Sequence, residues 1–332
     1  MEAAVEMTGR KMDPASRSPV LVPKLTMRRR FMNQKMLHLM MVPAVATVVL
    51  FYYMPLYGLL LAFKNFNIVK GVAKSPWARN GGFEHFIDFF NSVGVGQVLL
   101  NTVALALSSL VFVQIFPVIF ALLMNEIQSK VFKKFTQTVT YLPYFVSWIV
   151  VGGILFTLLL PTRNGPINGI LFSLGLIKKP LDLMNDPAVM WPLFIATEIW
   201  KKTGWESIMY LAVIMSIDPC LYEAVTIDGG GRWTKMRHVT WPALKAVFML
   251  LFIMKCGTIM SGGGFLDQSY IFGTASNKST SQVLDVYIIR VGLEQARYSF
   301  AAAAGLFKQV VNLILLLAAN TISRRLTGKG LF

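Results

Sequence analysis

Residues 218–242 read DPCLYEAVTIDGGGRWTKMRHVTWP, and apolar runs long enough to cross a membrane flank this stretch on both sides. Residues 221–228 can form two turns of helix, and the glycines at 229–231 then permit a sharp reversal with positive φ. Residues 232–240 have the pattern of a second, amphipathic helix, and Pro242 lies near the start of the next apolar run, where a helix tolerates proline. The stretch predicts a short helix, a glycine turn and another helix at a membrane surface.

Outward from this loop, apolar runs divide the chain into candidate membrane spans. A spanning helix needs roughly 20 apolar residues at a rise of about 1.5 Å each. Six runs qualify, and they cover about residues 36–63, 97–125, 136–160, 188–217, 243–260 and 300–322. The pattern predicts an all-α membrane protein with a basic N-terminal arm (1–35), a six-span domain (36–322) and a short tail (323–332).

The composition agrees with lipid as the main solvent of the chain. Of its 332 residues, 55% are apolar and only 14% are charged, and the mean hydropathy is +0.57. A soluble globular protein averages roughly 25% charged residues. These values argue against a soluble enzyme, a disordered chain and a disulfide scaffold. Cys220 and Cys256 are too few for a disulfide framework and are expected to be free thiols.

The remaining charge is strongly positive, with 32 Lys and Arg residues against 16 Asp and Glu residues. Nucleic acid and an anionic membrane face could both attract such a chain. Because the basic residues are densest in the arm, in residues 126–135, in the 218–242 loop and in the tail, the positive-inside rule is the better explanation. It predicts that both termini are cytoplasmic, and we expect membrane lipid but no nucleic acid as a partner.

The spacing in the 218–242 loop resembles the signature loop of ATP-binding-cassette (ABC) importer permeases. That signature is Glu-Ala-Ala, three residues, Gly, nine residues and then Ile-x-Leu-Pro. The matching positions are Glu223, Ala224, Gly229 and Pro242, whereas Val225, Val239 and Trp241 are conservative departures. The resemblance implies a type I ABC importer permease fold, in which this loop is a cytoplasmic coupling helix.

In that family the coupling helix docks into a cleft of a separate ATPase subunit. By resemblance, Glu223 would pair with a basic group of the ATPase and Gly229 would make the turn. The coupling set is completed by Ala224, Asp228, Gly230, Arg232 and Pro242. The simpler alternative is a connector whose glycines merely allow the chain to turn.

Other segments extend the resemblance over most of the chain. Those similar to permeases for complex polysaccharides are residues 53–58, 62–64, 101–102, 121–126, 137–143, 198–201, 204–205 and 303–308. As a whole the sequence resembles the permease subunits of bacterial alginate importers. The resemblance implies a transporter subunit of the bacterial inner membrane, not an enzyme, that imports an acidic oligo- or polysaccharide. It also implies three kinds of partner: a second permease subunit (identical or related), two ATPase subunits, and an external or periplasmic solute-binding protein.

No motif in the chain could bind ATP or perform catalysis. A phosphate-binding Gly-x-x-x-x-Gly-Lys-Ser/Thr loop, a His-Glu-x-x-His pair, a Cys-x-x-Cys pair and a nucleophile elbow are all missing from the sequence. The three histidines are far apart, so we expect no metal site, no catalytic residue and no cofactor on this chain. ATP and Mg would then be bound by the partner ATPase, although an ion gradient is a second possible source of energy.

Charged and aromatic residues interrupt the fourth span. An ionisable group within a span costs about 2.5–3.5 kcal/mol on insertion scales, so it usually faces a cavity or a partner. Candidates for a substrate pathway are Glu198, Trp200, Lys201, Lys202 and Trp205. Two alternatives stay open: an internal Glu198–Lys202 pair at i,i+4 spacing, or a projection of this stretch beyond the bilayer.

Lys308 and Asn312 give the sixth span one polar face, which could line the pathway or contact a second permease subunit. Lys255 in the fifth span also needs a partner, which the sequence does not identify. Together these lysines leave the spans net positive, and this favours an anionic passenger such as a uronate oligosaccharide.

Two other classes of protein compete with the importer. A membrane-embedded transferase for lipid-linked sugars would need an acidic cluster, but the acidic residues here are few and scattered. An ion-coupled secondary transporter typically contains inverted repeats, and the chain has no convincing internal repeat.

Overall fold

The computed structural model describes residues 34–327 and residue 330. Most of the predicted basic arm and part of the predicted tail therefore lie outside the described residues. The chain divides into two compact units, residues 1–57 and residues 58–332. The first contains the greater part of an exposed apolar helix, α1 (Lys35–Phe63), in which a π-helical turn (Val49–Tyr53) precedes a 3-10 segment (Met54–Phe63).

The second unit contains the other helices and the whole of the 218–242 loop. In chain order they are α2 (Gly71–Lys74), α3 (Glu84–Asn91), α4 (Val95–Glu126), α5 (Lys130–Phe145), α6 (Trp148–Leu158), α7 (Pro166–Ser173), α8 (Pro187–Met215), α9 (Pro219–Ile227), α10 (Arg232–Cys256), α11 (Leu266–Phe272), α12 (Lys278–Ser281), α13 (Leu284–Ile289) and α14 (Tyr298–Thr327). Short 3-10 turns lie at Asn80–Gly82 and Ile259–Gly264, and π-helical turns at Ser109–Val113, Met236–Thr240 and Arg290–Glu294.

Among the described residues, four helices are long and apolar enough to cross a membrane: α1, α4, α10 and α14. Two bent pairs, α5 with α6 and α8 with α9, raise the number to six if each pair is one span. The predicted all-α membrane fold is confirmed. The spans, however, are less regular than the apolar runs suggest.

The third predicted span is two helices that meet at 97°. Pro143 lies in the last turn of α5, where its ring removes one backbone hydrogen bond. Val146 and Ser147 are then extended, and the Ser147 hydroxyl accepts a hydrogen bond from Val150 N at 3.3 Å, which starts α6. A local stop signal and a local start signal therefore produce this bend, which we call the elbow.

The fifth predicted span is longer than its apolar run because residues 232–240 do not form a separate helix. They continue into the span as α10, which begins at Arg232 rather than near residue 243. The π-helical turn Met236–Thr240 lies just before Pro242, and its wider hydrogen-bond spacing accommodates the proline without ending the helix.

The long connection over residues 261–299 does not remain at the surface, as an exterior loop would. It folds back into the bundle as α11, α12 and α13, and the side chains of Phe265, Phe272 and Val283 are fully buried in the core beside Phe194 of α8. These helices are far too short to span a membrane, so a search for long apolar runs misses them.

Side chains from two spans hold this returning segment by its backbone. Asn101 Nδ2 donates to Ser279 O at 2.8 Å and to Gln282 O at 3.1 Å. Trp191 Nε1 donates to Thr280 O at 2.9 Å. These bonds satisfy carbonyl groups that irregular backbone would otherwise leave unpaired inside the bundle.

Candidate functional site

The charged stretch of α8 contains an internal ion pair. Glu198 is fully buried and pairs with Lys202 one turn later, which is the i,i+4 alternative considered for this span. Gln268 of α11 donates its side-chain amide to Glu198 Oε2 at 3.0 Å. Glu198 and Lys202 therefore neutralise each other within the bundle.

Lys201 points in another direction and forms no ion pair with any described residue. Its ammonium group donates to the backbone carbonyls of Pro143 (3.2 Å), Tyr144 (3.0 Å) and Val146, all at the elbow. The residue is only 6% exposed. Lys201 thus satisfies backbone groups of the third span.

The missing partner of Lys255 is Glu206, whose Oε2 lies 3.1 Å from Lys255 Nζ. The pair joins α8 to α10. Both side chains are about one-quarter exposed, so the pair lies at the margin of the bundle.

Lys308 of α14 pairs with Asp285 of α13 and lines a cavity of about 440 Å³ together with Gln309. Asp285 belongs to the connection that the charge pattern places at the exterior, so nothing in the sequence pairs it with a lysine in a span. Asn312, in contrast, is almost fully buried. It accepts from Met260 N at 2.8 Å and donates to Ser261 Oγ at 3.3 Å, and so holds the turn after α10.

A second cavity of about 490 Å³ lies beside the first, and Leu266 and Ile289 line both. The elbow contributes Ser147, Trp148 and Ile149 to the second cavity, and α11 contributes Asp267 and Tyr270. We call the two together the paired cavities. Their mostly apolar wall also carries two aromatic rings (Trp148 and Tyr270), the Asp285–Lys308 ion pair and the amide of Gln309.

The other sequence candidates for a pathway lie elsewhere. Trp205 stacks on Tyr144, with ring centroids 4.6 Å apart, and Trp200 is half-exposed on α8. Of the seven candidates, Lys308 lines the paired cavities, and the other six are not among the lining residues of either cavity. The sequence missed Tyr270 and Asp285 as lining residues, because both lie in short helices of the returning connection.

The loop between α9 and α10 is a helical hairpin exposed at its tip. Asp218 caps α9 by accepting from Cys220 N at 2.9 Å, and Gly229 makes the turn at a φ of +76°. A Cβ on Gly230 would lie 2.5 Å from the Val225 side chain, so the two helices approach closely there. Glu223 and Ala224 are exposed on α9.

Beyond the turn, Arg232 is exposed at the start of α10. Its Nε lies 3.7 Å from Glu126 Oε2 at the end of α4. Asp228 ends α9, and Pro242 is exposed on α10. Apolar side chains are exposed on the hairpin as well: Leu221 (53%), Ile227 (86%) and Trp233 (70%). Exposed apolar side chains of this kind occur where a protein contacts a partner or a membrane.

A helical membrane domain with open cavities and an exposed helical hairpin between two spans fits a membrane permease. Comparison with known proteins identifies the family. Residues 114–328 match the family described as binding-protein-dependent transport system inner membrane components, and the chain belongs to this family.

Two relatives from Bacillus subtilis (strain 168) match nearly the whole chain. Protein LplB is 36% identical over 300 residues, which cover 90% of this chain and 92% of LplB. The polygalacturonan/rhamnogalacturonan transport system permease protein YteP is 36% identical over 304 residues, which cover 91% of this chain and 92% of YteP.

Two crystal structures share the fold. A chain of a bacterial ABC transporter involved in the import of the acidic polysaccharide alginate is 35% identical, with a TM-score of 0.82, over 90% of this chain and 99% of that one. A chain of a bacterial alginate ABC transporter in complex with its periplasmic protein, which carries an alginate pentasaccharide, is 34% identical, with a TM-score of 0.83, over 92% and 99%.

These likenesses establish the class of transporter. The chain is a membrane permease subunit of a sugar ABC importer and not an enzyme, and its fold is the type I importer permease fold. The family assignment rules out the transferase and the ion-coupled transporter. One of the solved neighbours works with a periplasmic binding protein.

Proposed function

We propose that this permease passes an acidic, alginate-like oligo- or polysaccharide across the bacterial inner membrane into the cytoplasm. The likeness to alginate importer chains over nine-tenths of the sequence carries the proposal. YteP supports the same chemical class, because polygalacturonan is also a polymer of uronic acid units. A second permease subunit would supply the other half of the pathway, and a solute-binding protein would deliver the saccharide.

In this proposal the paired cavities are the part of the pathway that this chain contributes. A pyranose ring presents apolar C–H faces, which can stack on Trp148 and Tyr270. Gln309 can bond sugar hydroxyls, and Lys308 can attract a carboxylate. Because Lys308 is already paired with Asp285, a carboxylate would share the ammonium group rather than meet a free charge.

The helical hairpin is the proposed contact with the ATPase. The exposed carboxylate of Glu223 lies on the same hairpin as the exposed side chains of Leu221 and Trp233, so a docking partner would meet a charge and an apolar patch together. Gly229 and Gly230 would keep α9 at a fixed angle to α10, and Ala224, Asp228, Arg232 and Pro242 complete the proposed surface. ATP and Mg would be bound by the two ATPase subunits.

The topology follows from the same proposal. If the hairpin meets an ATPase, it lies on the cytoplasmic side, and the basic connections and both termini lie there too. Labelling of single cysteines in right-side-out membrane vesicles tests this orientation. Cys220 on the hairpin should be protected from a membrane-impermeant maleimide, and labelling of Cys220 in sealed vesicles would contradict it.

Reconstitution with the partner subunits tests the coupling. Glu223→Arg should reduce saccharide-stimulated ATP hydrolysis about tenfold or more, because it places a like charge against the proposed basic partner. Glu84→Arg is the control, since Glu84 lies in a different connection, just before the second span. Stimulation that survives Glu223→Arg would refute docking through this hairpin.

Charge selection is tested with an oligouronate and its methyl-esterified, neutral counterpart of the same length. Lys308→Met leaves Asp285 unpaired in the cavity and should reduce uptake of the acidic form about tenfold more than uptake of the neutral form. The double variant Asp285→Asn/Lys308→Met removes both charges and should restore part of the acidic uptake. Equal losses for the acidic and neutral forms would refute selection by charge.

A further inference from the structure

The elbow leaves backbone carbonyl groups without helical partners inside a membrane domain. The last carbonyls of α5 lack the i+4 donor of a continuing helix, because α6 departs at 97°, and Pro143 O accepts only a shorter-range bond from Val146 N at 3.2 Å. A backbone carbonyl left without a hydrogen bond in a membrane domain is costly. A donor from elsewhere in the fold therefore stabilises a bend at this position.

Lys201 of α8 is that donor. An ammonium group carries three N–H bonds, and here they meet the carbonyl oxygens of Pro143, Tyr144 and Val146. The charge also lies at the negative end of the α5 dipole and 5.2 Å from the ring centroid of Trp148. All of these contacts belong to the elbow, and none of them to an acidic side chain.

Two further contacts join α5 to α8 within the next turn. A Cβ on Gly204 would collide with the Thr140 carbonyl, so the two backbones touch at that point. Trp205 stacks on Tyr144 with an angle of 6° between the rings. The elbow is thus fixed to one turn of α8 by a charge, a backbone contact and an aromatic stack.

That turn of α8 is connected directly to the helical hairpin. From Lys201 the helix continues to Met215, a distance of about 21 Å at 1.5 Å per residue, and Asp218 then caps α9. At the other end, the elbow residues Ser147 and Trp148 line the second of the paired cavities. After a 68° bend between α8 and α9, the same stretch of chain therefore joins the hairpin to the turn that holds the elbow and its cavity wall.

We propose that Lys201 is a positioning residue that makes the elbow and α8 move as one body, so that displacement of the hairpin also displaces the cavity wall. The proposal rests on the coupling role given above to the hairpin. Lys201 does not touch the saccharide in this scheme. It transmits motion because it holds Pro143, Tyr144 and Val146 against α8.

The test compares Lys201→Met with a double variant in the same turn, in the transporter reconstituted with its second permease and ATPase subunits. Met is close to Lys in size but donates no hydrogen bond, so the three carbonyls lose the ammonium donor and Pro143 O keeps only Val146 N. The control Glu198→Gln/Lys202→Met removes the neighbouring ion pair of α8 but none of the three hydrogen bonds from Lys201 to the elbow.

Spin labels at Val131→Cys and Ile154→Cys report the elbow, since these exposed positions lie on α5 and α6. Cys220 and Cys256 are replaced by serine so that the labels are unique. Pulsed electron resonance should give one narrow distance distribution for the parent and the control in each nucleotide state. Lys201→Met should give a broad distribution with a second, longer distance.

Transport should change in parallel. For Lys201→Met we expect the maximal uptake rate per ATP hydrolysed to fall about tenfold, the size expected for the loss of one coupling contact, while the half-saturating concentration changes little. An unaltered distance distribution, or full uptake per ATP with a disordered elbow, would overturn the proposal.

If the transporter that carries Lys201→Met does not assemble, the variant Lys201→Arg tests the proposal instead. A guanidinium group retains the positive charge and the hydrogen-bond donors. We expect a narrow distribution and at least about half of the parental uptake, and a broad distribution with normal uptake would overturn the proposal. The distance measurement needs no saccharide. The two proposals can therefore fail separately. If the elbow opens in Lys201→Met but Glu223→Arg leaves coupling intact, the proposed docking is refuted and the role of Lys201 is not.

Discussion

The elbow between α5 and α6 and the turn between α9 and α10 are both sharp breaks between helices, but different forces hold them. The turn is exposed, and its geometry comes from its own residues, Asp218 before α9 and Gly229 after it. The elbow depends on Lys201, which is remote in the sequence and nearly buried.

The two breaks differ because their free backbone groups have different surroundings. Water can bond the free backbone groups of an exposed turn, so glycine and a capping carboxylate suffice. The elbow lies in a membrane domain, where an unbonded carbonyl is costly, and its carbonyls take a donor from α8. The elbow is therefore tied to a second helix, and this tie can also transmit motion.

The largest effect is expected where α5 touches α8. Gly204→Ala should destabilise the permease by about 1–3 kcal/mol, because its Cβ would meet the Thr140 backbone, which cannot move aside alone. Thermal unfolding in detergent measures the change. Gly153→Ala on α6 is the control, since no atom lies within 4 Å of its Cβ, and helix propensity predicts a neutral or slightly stabilising result. Equal effects at the two positions would mean that the contact with Thr140 is unimportant.

A smaller effect is expected in the exposed turn. Gly229→Ala should cost about 1–2 kcal/mol, because alanine is strained at a φ of +76°. Only the hairpin should respond, and faster amide hydrogen exchange in α9 would report it. Gly231→Ala, at a φ of −80° with open space around its Cβ, should leave exchange unchanged. Destabilisation of the whole bundle by Gly229→Ala would show that the turn is not held locally.

The smallest effect on stability is expected for Arg232→Ala. Its contact with Glu126 is 3.7 Å long between side chains that are 82% and 54% exposed, and such pairs contribute about 0–1 kcal/mol. Any clear loss of stimulated ATP hydrolysis would then come from docking rather than folding. A large fall in the melting temperature would instead give Arg232 a structural role within this chain.

Much of the architecture was predictable from local patterns. Apolar runs indicated the spans, and the spacing of Glu223, Gly229 and Pro242 pointed to the permease family that comparison then confirmed. The elbow itself had local signals, Pro143 and Ser147, within an apolar run that suggested a single helix. The returning helices α11 to α13 had weaker signals, because they are shorter than any span.

The partners of the buried charges were not predictable. Lys201, Lys202, Lys255 and Lys308 looked alike in the sequence, as lysines within spans. In the structure each ammonium group has different partners, which are three backbone carbonyls for Lys201, Glu198 for Lys202, Glu206 for Lys255 and Asp285 for Lys308. Only the Glu198–Lys202 pair has the i,i+4 spacing that can be recognised in the sequence of one helix.

The sequence by itself determined that this chain is a membrane protein and belongs to the importer permeases. It also determined that a helical hairpin lies between the fourth and fifth spans. Those properties depend on composition and on spacing along one segment, and both are local. Tertiary structure decided which lysine faces a cavity, which holds a bent helix and which completes an ion pair. These outcomes depend on which helices lie side by side, because a buried charge or carbonyl takes its partner from the nearest element in space.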